Sequence, residues 1–200
     1  GSHMMVYHPL TEVLVFGNDN GDLVYSEDFG LTWNNCVTNY PTPTLRYDAW
    51  DRANDGFQFV SDYGLIVGFA GRPDAFQHGR PVWSEDGINW FSGESEQIFN
   101  SPRSGVYHSA SGQFFCNLQN RMARTDDGMN YTYALSLGGN SPQNGLGYLP
   151  SVNRWASYRP QSREFVHALD PMSADSWTGG QGTASGNPTN FVTMPARDGI

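Results

Sequence analysis

Three stretches of this chain repeat one short pattern, and that repetition limits the fold more than any other feature. Residues 21–33, 79–90 and 120–131 each carry a short strand-like run, then Ser or Thr, one residue, Asp, Gly, and an aromatic three positions beyond the Gly. The matching residues are Ser26, Asp28, Gly30 and Trp33, then Ser84, Asp86, Gly87 and Trp90, then Thr125, Asp127, Gly128 and Tyr131. Each unit follows a second apolar run, at 13–16, 65–69 and 114–116. A carboxylate at a hairpin corner accepts the turn's backbone N–H groups, and Gly takes the positive φ that other residues resist. The hydroxyl bonds to nearby backbone and the aromatic folds over the corner. The three Asp are therefore expected to be structural acceptors. Their neighbours Glu27 and Glu85 are expected to face solvent.

The hydroxyl residues are 58 positions apart from Ser26 to Ser84 and 41 apart from Ser84 to Thr125. That spacing falls near the ~40–50 residues of a four-stranded propeller blade. With 23 Gly and 12 Pro, and almost no apolar pattern at helical spacing, the chain reads as all-β. The expected fold is a small β-propeller of four-stranded antiparallel blades, four in number, with five as the alternative. A fourth, decayed unit is expected over 146–177, with 154–158 and 163–168 as inner strands. Its Asp170-Pro-Met-Ser segment lacks the repeated order, so its turn should be built differently. Residues 178–190 read as a loop, 190–194 as a last strand, and 72–78 as an exposed insertion. Asn18-Asp-Asn-Gly21 signals a tight hairpin. The first blade is expected to be completed by a strand from the other end of the chain. Residues 1–4 read as an expression tag and 5–200 as a single domain.

The formal net charge is −9, all eleven basic residues are Arg, and none forms a cationic stripe. Nucleic acid and anionic membranes are therefore poor partners. No apolar run is long enough to span a bilayer, and no leader precedes the first strand. Cys36 and Cys116 stand apart from each other and from any ligand cluster, so both read as plain half-buried thiols. His8, His78, His108 and His167 lack zinc spacing, and no metal or cofactor is expected. The segment 18–22 is similar to a calcium loop, but its Gly comes one position early and no bidentate Glu follows. The Gly-rich pieces at 138–141 and 179–182 lack the Lys and helix that phosphate binding requires.

The first unit resembles the Asp-box of the bacterial-neuraminidase-repeat family at every motif position, and the other two resemble its one-residue-shorter variant. The match covers about a third of the chain. The resemblance implies a propeller and no single chemistry, since such hairpins occur in sialidases, sortilin-like receptors, photosystem assembly factors and phage tail proteins. A phage-virion-like member is implied: tail-associated, host-recognition or structural, located in a virion or outside the cell. Sialidase-like hydrolysis of surface glycans is the alternative. The resemblance then asks for an Arg triad, for which Arg46, Arg103 and Arg159 could be nominated, and for a Glu outside the corners, Glu12, Glu94, Glu96 or Glu164. No Arg-Ile-Pro segment accompanies those Arg.

Aromatics flanked by carboxylates suit stacking on sugar rings. Tyr40, Tyr47, Trp50, Phe57 and Tyr63 lie in a stretch that also holds Asp48, Asp51, Arg52 and Asp55. Tyr47, Trp50, Asp51 and Arg52 are the nominated ligand-binding residues, against the alternative that this stretch supplies the core of the second blade. Phe76 and His78 form a second candidate surface. The expected partners are virion or assembly proteins, cell-surface glycan, or both, with self-association left open.

Overall fold

A computed structural model describes residues 4–17, 23–39, 57–71, 78–92, 99–100, 104–118, 121–134, 144–159 and 164–180. These residues form four antiparallel four-stranded sheets, with two single-turn 3-10 segments and no α-helix. The first sheet holds β1 (Met4–His8), β2 (Val13–Gly17), β3 (Leu23–Ser26) and β4 (Asn34–Asn35) in that order. The second holds β6 (Gln58–Val60), β7 (Leu65–Gly71), β8 (His78–Ser84) and β9 (Asn89–Ser92). The third holds β11 (Ser104–His108), β12 (Gln113–Leu118), β13 (Arg121–Thr125) and β14 (Thr132–Tyr133). The fourth holds β15 (Asn144–Leu149), β16 (Arg154–Arg159), β17 (Glu164–Ala168) and β18 (Thr178–Gly180). Two short strands extend the second sheet. β5 (Val37–Thr38) leaves the first sheet and runs parallel to β9, and β10 (Phe99–Asn100) pairs with the start of β8.

Successive sheets touch through their first strands, β1 with β6, β6 with β11 and β11 with β15, which is the arrangement of propeller blades. Strand alternation then decides the packing, because the second and third sheets are covered on both faces by their neighbours. In the first sheet Val13, Val15 and Leu23 face the second, meeting Phe57, Ile66, Val82 and Trp90 in one core. Leu65, Val67 and Phe69 face Phe114, Cys116, Ala123 and Tyr131 of the third sheet. Val106, Phe115 and Met122 face Leu146, Trp155, Val166 and Trp177 of the fourth.

Several expectations are corrected here. The first sheet takes its four strands from the stretch 4–35, and β1 pairs with β2 from Met4↔Gly17 to His8↔Val13, so among the described residues no distant strand completes it. Its first residue is the last of the four read as a tag. Strands β7 and β8 pair as far as Gly71↔Gly79, which places His78 in a strand and shortens the insertion. Residues 178–180, read as loop, form the outer strand of the fourth sheet. The 18–21 hairpin, most of the 72–78 insertion and the 190–194 strand lie outside the described residues.

A second repeat went unread in the sequence. Every turn between the first and second strands ends on a residue with positive φ: Glu12 at 60°, Gly64 at 67°, Gly112 at 65° and Asn153 at 49°. Just before each turn, the first strand places an aromatic at the equivalent register: Tyr7, Phe59, Tyr107 and Tyr148. Gly and Asn accept the left-handed region cheaply, whereas it strains Glu12 by roughly 1 kcal/mol. Glu12→Gly is therefore expected to raise the unfolding free energy by about 1 kcal/mol in a denaturant melt, and a loss of stability would show that the Glu12 side chain is needed there.

Candidate functional site

The three repeated motifs all sit at the corner between the third and fourth strands of a sheet. At the second corner the Ser84 hydroxyl accepts the Gly87 N–H at 2.8 Å and donates to Asp86 Oδ1 at 3.1 Å. Asp86 Oδ1 accepts the N–H groups of Ile88 at 2.8 Å and Asn89 at 2.7 Å, and Oδ2 takes the Asn89 side-chain amide at 2.7 Å. The third corner repeats this bond for bond. Thr125 Oγ1 accepts Gly128 N–H at 2.9 Å, and Asp127 takes Met129 N–H at 2.8 Å and both Asn130 groups at 2.7 Å. The first corner carries one extra residue, Phe29, at φ 56°, and Thr32 replaces Asn as the partner of both Asp28 oxygens, at 2.8 and 2.6 Å. Ser26 Oγ accepts Gly30 N–H at 2.7 Å.

Glycine is required at these corners for two reasons. Gly87 and Gly128 have φ of +81° and +77°, and a Cβ on either would meet Val13 at 2.9 Å or Val67 at 2.6 Å. Both valines belong to the preceding sheet, so the corner is a place of close approach between neighbouring sheets. The aromatic side chain completes the contact. Trp90 donates its indole N–H to the Gly87 carbonyl at 3.1 Å while its ring is fully buried against Phe57. Polar contacts from the preceding sheet's turn accompany it: Thr11 Oγ1 donates to the Asp86 carbonyl at 3.0 Å, and the Tyr63 hydroxyl shares its one proton between the carbonyl oxygens of Gly112 and Thr125, 2.8 and 3.0 Å away.

The fourth sheet has the same corner in altered form. Ala168 stands where the others have Ser or Thr, as its pairing with Trp155 matches that of Ser84 with Ile66. The missing hydroxyl comes from the far side of the turn, where Ser176 Oγ accepts the N–H groups of Leu169 and Asp170, both at 2.9 Å. Asp170 Oδ1 still takes the N–H two residues on, Met172 at 2.9 Å, and Trp177 still donates to a corner carbonyl, Pro171 at 3.1 Å. Asp and Trp keep their places while the hydroxyl changes its origin. A search for the fixed order of residues misses it for that reason.

Electrostatics follow from the same bonds. Thr32, through its hydroxyl and its N–H, together with Ser26, holds the Asp28 carboxyl down at about 2. Burial works against the charge on Asp127, but the bonds from Asn130, Met129 and Thr125 outweigh it and hold that carboxyl at about 2 as well. Asp86 is lowered by the same balance, burial opposing and Asn89, Ile88 and Ser84 prevailing. These acids stay ionised because backbone donors surround them. That environment suits a staple and not a proton donor.

The remaining nominated residues separate into two groups. Tyr47, Trp50, Asp51 and Arg52, with Arg46, Arg103, Glu94 and Glu96, lie outside the described residues, as does the 18–22 segment. Phe57 and Tyr63 are described: Phe57 packs in the core between the first two sheets, and Tyr63 bridges to the third. Burial pushes the Cys36 thiol up to about 12 and raises the fully buried Cys116 further. Among the described residues no three His, Cys, Asp or Glu side chains are placed to hold a metal ion. No helix among them is long and apolar enough to cross a membrane. His8 packs edge-on against Phe59, and His108 lies among Phe115, Tyr148 and Trp155. Both close their first strands at equivalent positions, and burial lowers both below the ordinary 6.5. For His8 the Gly64 carbonyl and the Asp86 charge oppose that shift without cancelling it.

No family model matches this sequence and no curated protein matches it. Solved β-propeller structures do resemble its fold. The chain superimposes over 97% of its length on 68% of a chain in a nidogen–laminin complex, with a TM-score of 0.62 and 12% identity. It covers 56% of YCF48 bound to a D1 peptide, over 94% of its own length, with a TM-score of 0.58 and 15% identity. It covers 65% of the α-L-arabinofuranosidase Arb93a of Fusarium graminearum in complex with an iminosugar inhibitor, over 90% of its own length, with a TM-score of 0.55 and 12% identity. The chain thus spans between about half and two thirds of the length of these structures.

Two outcomes are expected from the corner chemistry. Asp86→Ala strands the donors of Ile88 and Asn89 and should lower the unfolding free energy by about 1–3 kcal/mol, read from denaturant melts. Stability should also fall with acid in two stages. Groups whose folded form resists protonation favour the folded state only while the unfolded group is deprotonated. His8 and His108 therefore cost stability as pH falls below 6.5, and the corner carboxylates as it falls from 3.8 through about 2. Melts that stay flat from pH 7 to pH 2 would contradict the assignment.

Proposed function

We propose that this protein is a non-catalytic propeller module that recognises a partner surface, glycan included, or builds part of a larger assembly. The observation that carries the reading is the state of the corner acids. Asp28, Asp86 and Asp127 each accept backbone N–H at 2.7–2.8 Å, and Asp86 and Asp127 sit where sheets join, so their charge serves the fold. Two propellers of similar fold are described in complex with another protein or a peptide, which is the same class of role. Membership of the Asp-box family and a place in a phage-like virion belong to this reading and rest on the motif resemblance. On this reading recognition falls to the loops and edges of the sheets and not to the corners.

The competing reading is a glycoside hydrolase, the class of the arabinofuranosidase with a similar fold. A panel of fluorogenic glycosides, one sialoside and one arabinofuranoside among them, separates the two when run beside a glycan array. The expected result is no turnover above blank. Turnover that vanishes on Glu164→Gln while the fold survives would overturn the non-catalytic reading and place the chemistry on a carboxylate outside the corners.

A further inference from the structure

Where the first two sheets meet, an imidazole takes the place that a backbone carbonyl holds in the next two turns. His8, Val60 and His108 each close the first strand of a sheet. In the second and third sheets the N–H three residues on donates to that last residue's carbonyl, Tyr63 to Val60 and Ser111 to His108, both at 3.1 Å. In the first sheet the equivalent Thr11 N–H donates to the His8 ring, at Nδ1, 3.3 Å away. Thr11 is also the residue that ties the two sheets, because its hydroxyl donates to the Asp86 carbonyl at 3.0 Å. His8 itself is 0% exposed and packs edge-on against Phe59 of the second sheet. One buried imidazole thus holds the residue that reaches across.

We propose that His8 is a proton-operated catch: a proton taken from solvent onto the Nδ1 lone pair breaks the bond from the Thr11 N–H and frees the 9–12 turn from the second sheet's corner. With Nδ1 accepting, the neutral ring carries its single proton on Nε2. The imidazolium has a proton on both nitrogens and accepts nothing, so two N–H groups then point at each other. No such conflict arises where a carbonyl accepts, at Val60 and His108. At His108 the ring meets Ser111 Oγ at 2.8 Å, a hydroxyl that accepts as well as donates, so a proton there is accommodated. Few charges surround His8. Strands β6 and β7 bring no titratable group. The 61–64 turn brings Asp62 and Tyr63, both bonded toward the third sheet, Asp62 to the Tyr107 hydroxyl and Tyr63 to the carbonyls of Gly112 and Thr125. The corner brings exposed Glu85 and also Asp86, whose carboxylate is held by Ile88 and Asn89, and the turn itself brings exposed Glu12. Burial opposes a proton on His8 and prevails over the Asp86 charge and the carbonyls of Gly64 and Glu85, which favour it. The catch is therefore closed at pH 7 and yields only below the ordinary 6.5.

Amide hydrogen exchange of the whole chain at pH 7.5 and pH 5, corrected for the intrinsic pH dependence of exchange, tests this. Protection of the Thr11 N–H is expected to fall about tenfold between the two, while that of the equivalent Tyr63 N–H holds. His8→Asn keeps an acceptor that takes no proton and should make Thr11 protection independent of pH. His8→Phe keeps a ring against Phe59 but offers no acceptor, and should leave the Thr11 N–H unprotected at both pH values. Each variant is compared once far-UV circular dichroism shows its sheets intact at pH 7.5. Thr11 protection that is unchanged in acid overturns the proposal. So does an equal loss at Tyr63, which marks opening of the whole molecule, or an acid response that survives in a folded variant. The glycoside and glycan results do not bear on this outcome.

Discussion

The hydrogen-bonded corner between third and fourth strands is the constraint on which the rest of the structure depends. A tight turn leaves several N–H groups without strand partners at a half-buried joint. One carboxylate and one hydroxyl meet nearly all of them, as Asp86 and Ser84 do. With those donors satisfied, the glycine can lie against the valines of the preceding sheet and the aromatic can cross the gap between sheets. Polar satisfaction and apolar packing are therefore one event at each corner.

How much of this could be read from residues alone depends on whether a position was constrained by backbone chemistry or by partners far along the chain. The corners were legible because Asp, Gly and an aromatic at fixed offsets each answer a local backbone need. The first strands were not, since β1 and β11 are short and each ends on a single Val-Tyr-His run, which reads as a weak pattern until the opposing sheets are in place. The shared aromatic at Phe59, Tyr107 and Tyr148 packs in the contacts between sheets, a long-range demand with no fixed offset from the motif. The fourth corner escaped for a related reason. Ser176 accepts the Leu169 and Asp170 N–H groups from the opposite side of the turn, Pro171 having none to offer, and no linear order announces that exchange. The candidate ligand residues Tyr47, Trp50, Asp51 and Arg52 were nominated by composition, and only Phe57 and Tyr63 of that stretch are described, both in packing roles.

The distribution of charge supports a division of labour. Acids at the corners are drawn into the frame and kept ionised by donors, while burial holds both cysteines in the thiol form. On the proposed reading, recognition falls to the perimeter, to turn carbonyls and exposed aromatics. A fold of repeated units can vary that perimeter without touching the frame, and this is how one architecture comes to host unrelated tasks.

The strand at Val37–Thr38 has a mechanical consequence. It leaves the edge of the first sheet and immediately hydrogen-bonds along the outer strand of the second, Val37 N–H to the Ile88 carbonyl at 2.9 Å and Asn39 N–H to the Trp90 carbonyl at 2.8 Å. Tension applied along the chain would load these bonds in parallel, in shear, before it could peel the two sheets apart. The first pair of sheets is thus clamped as a stiff unit, and rupture is directed to the joints further along the chain, where no such clasp is seen among the described residues.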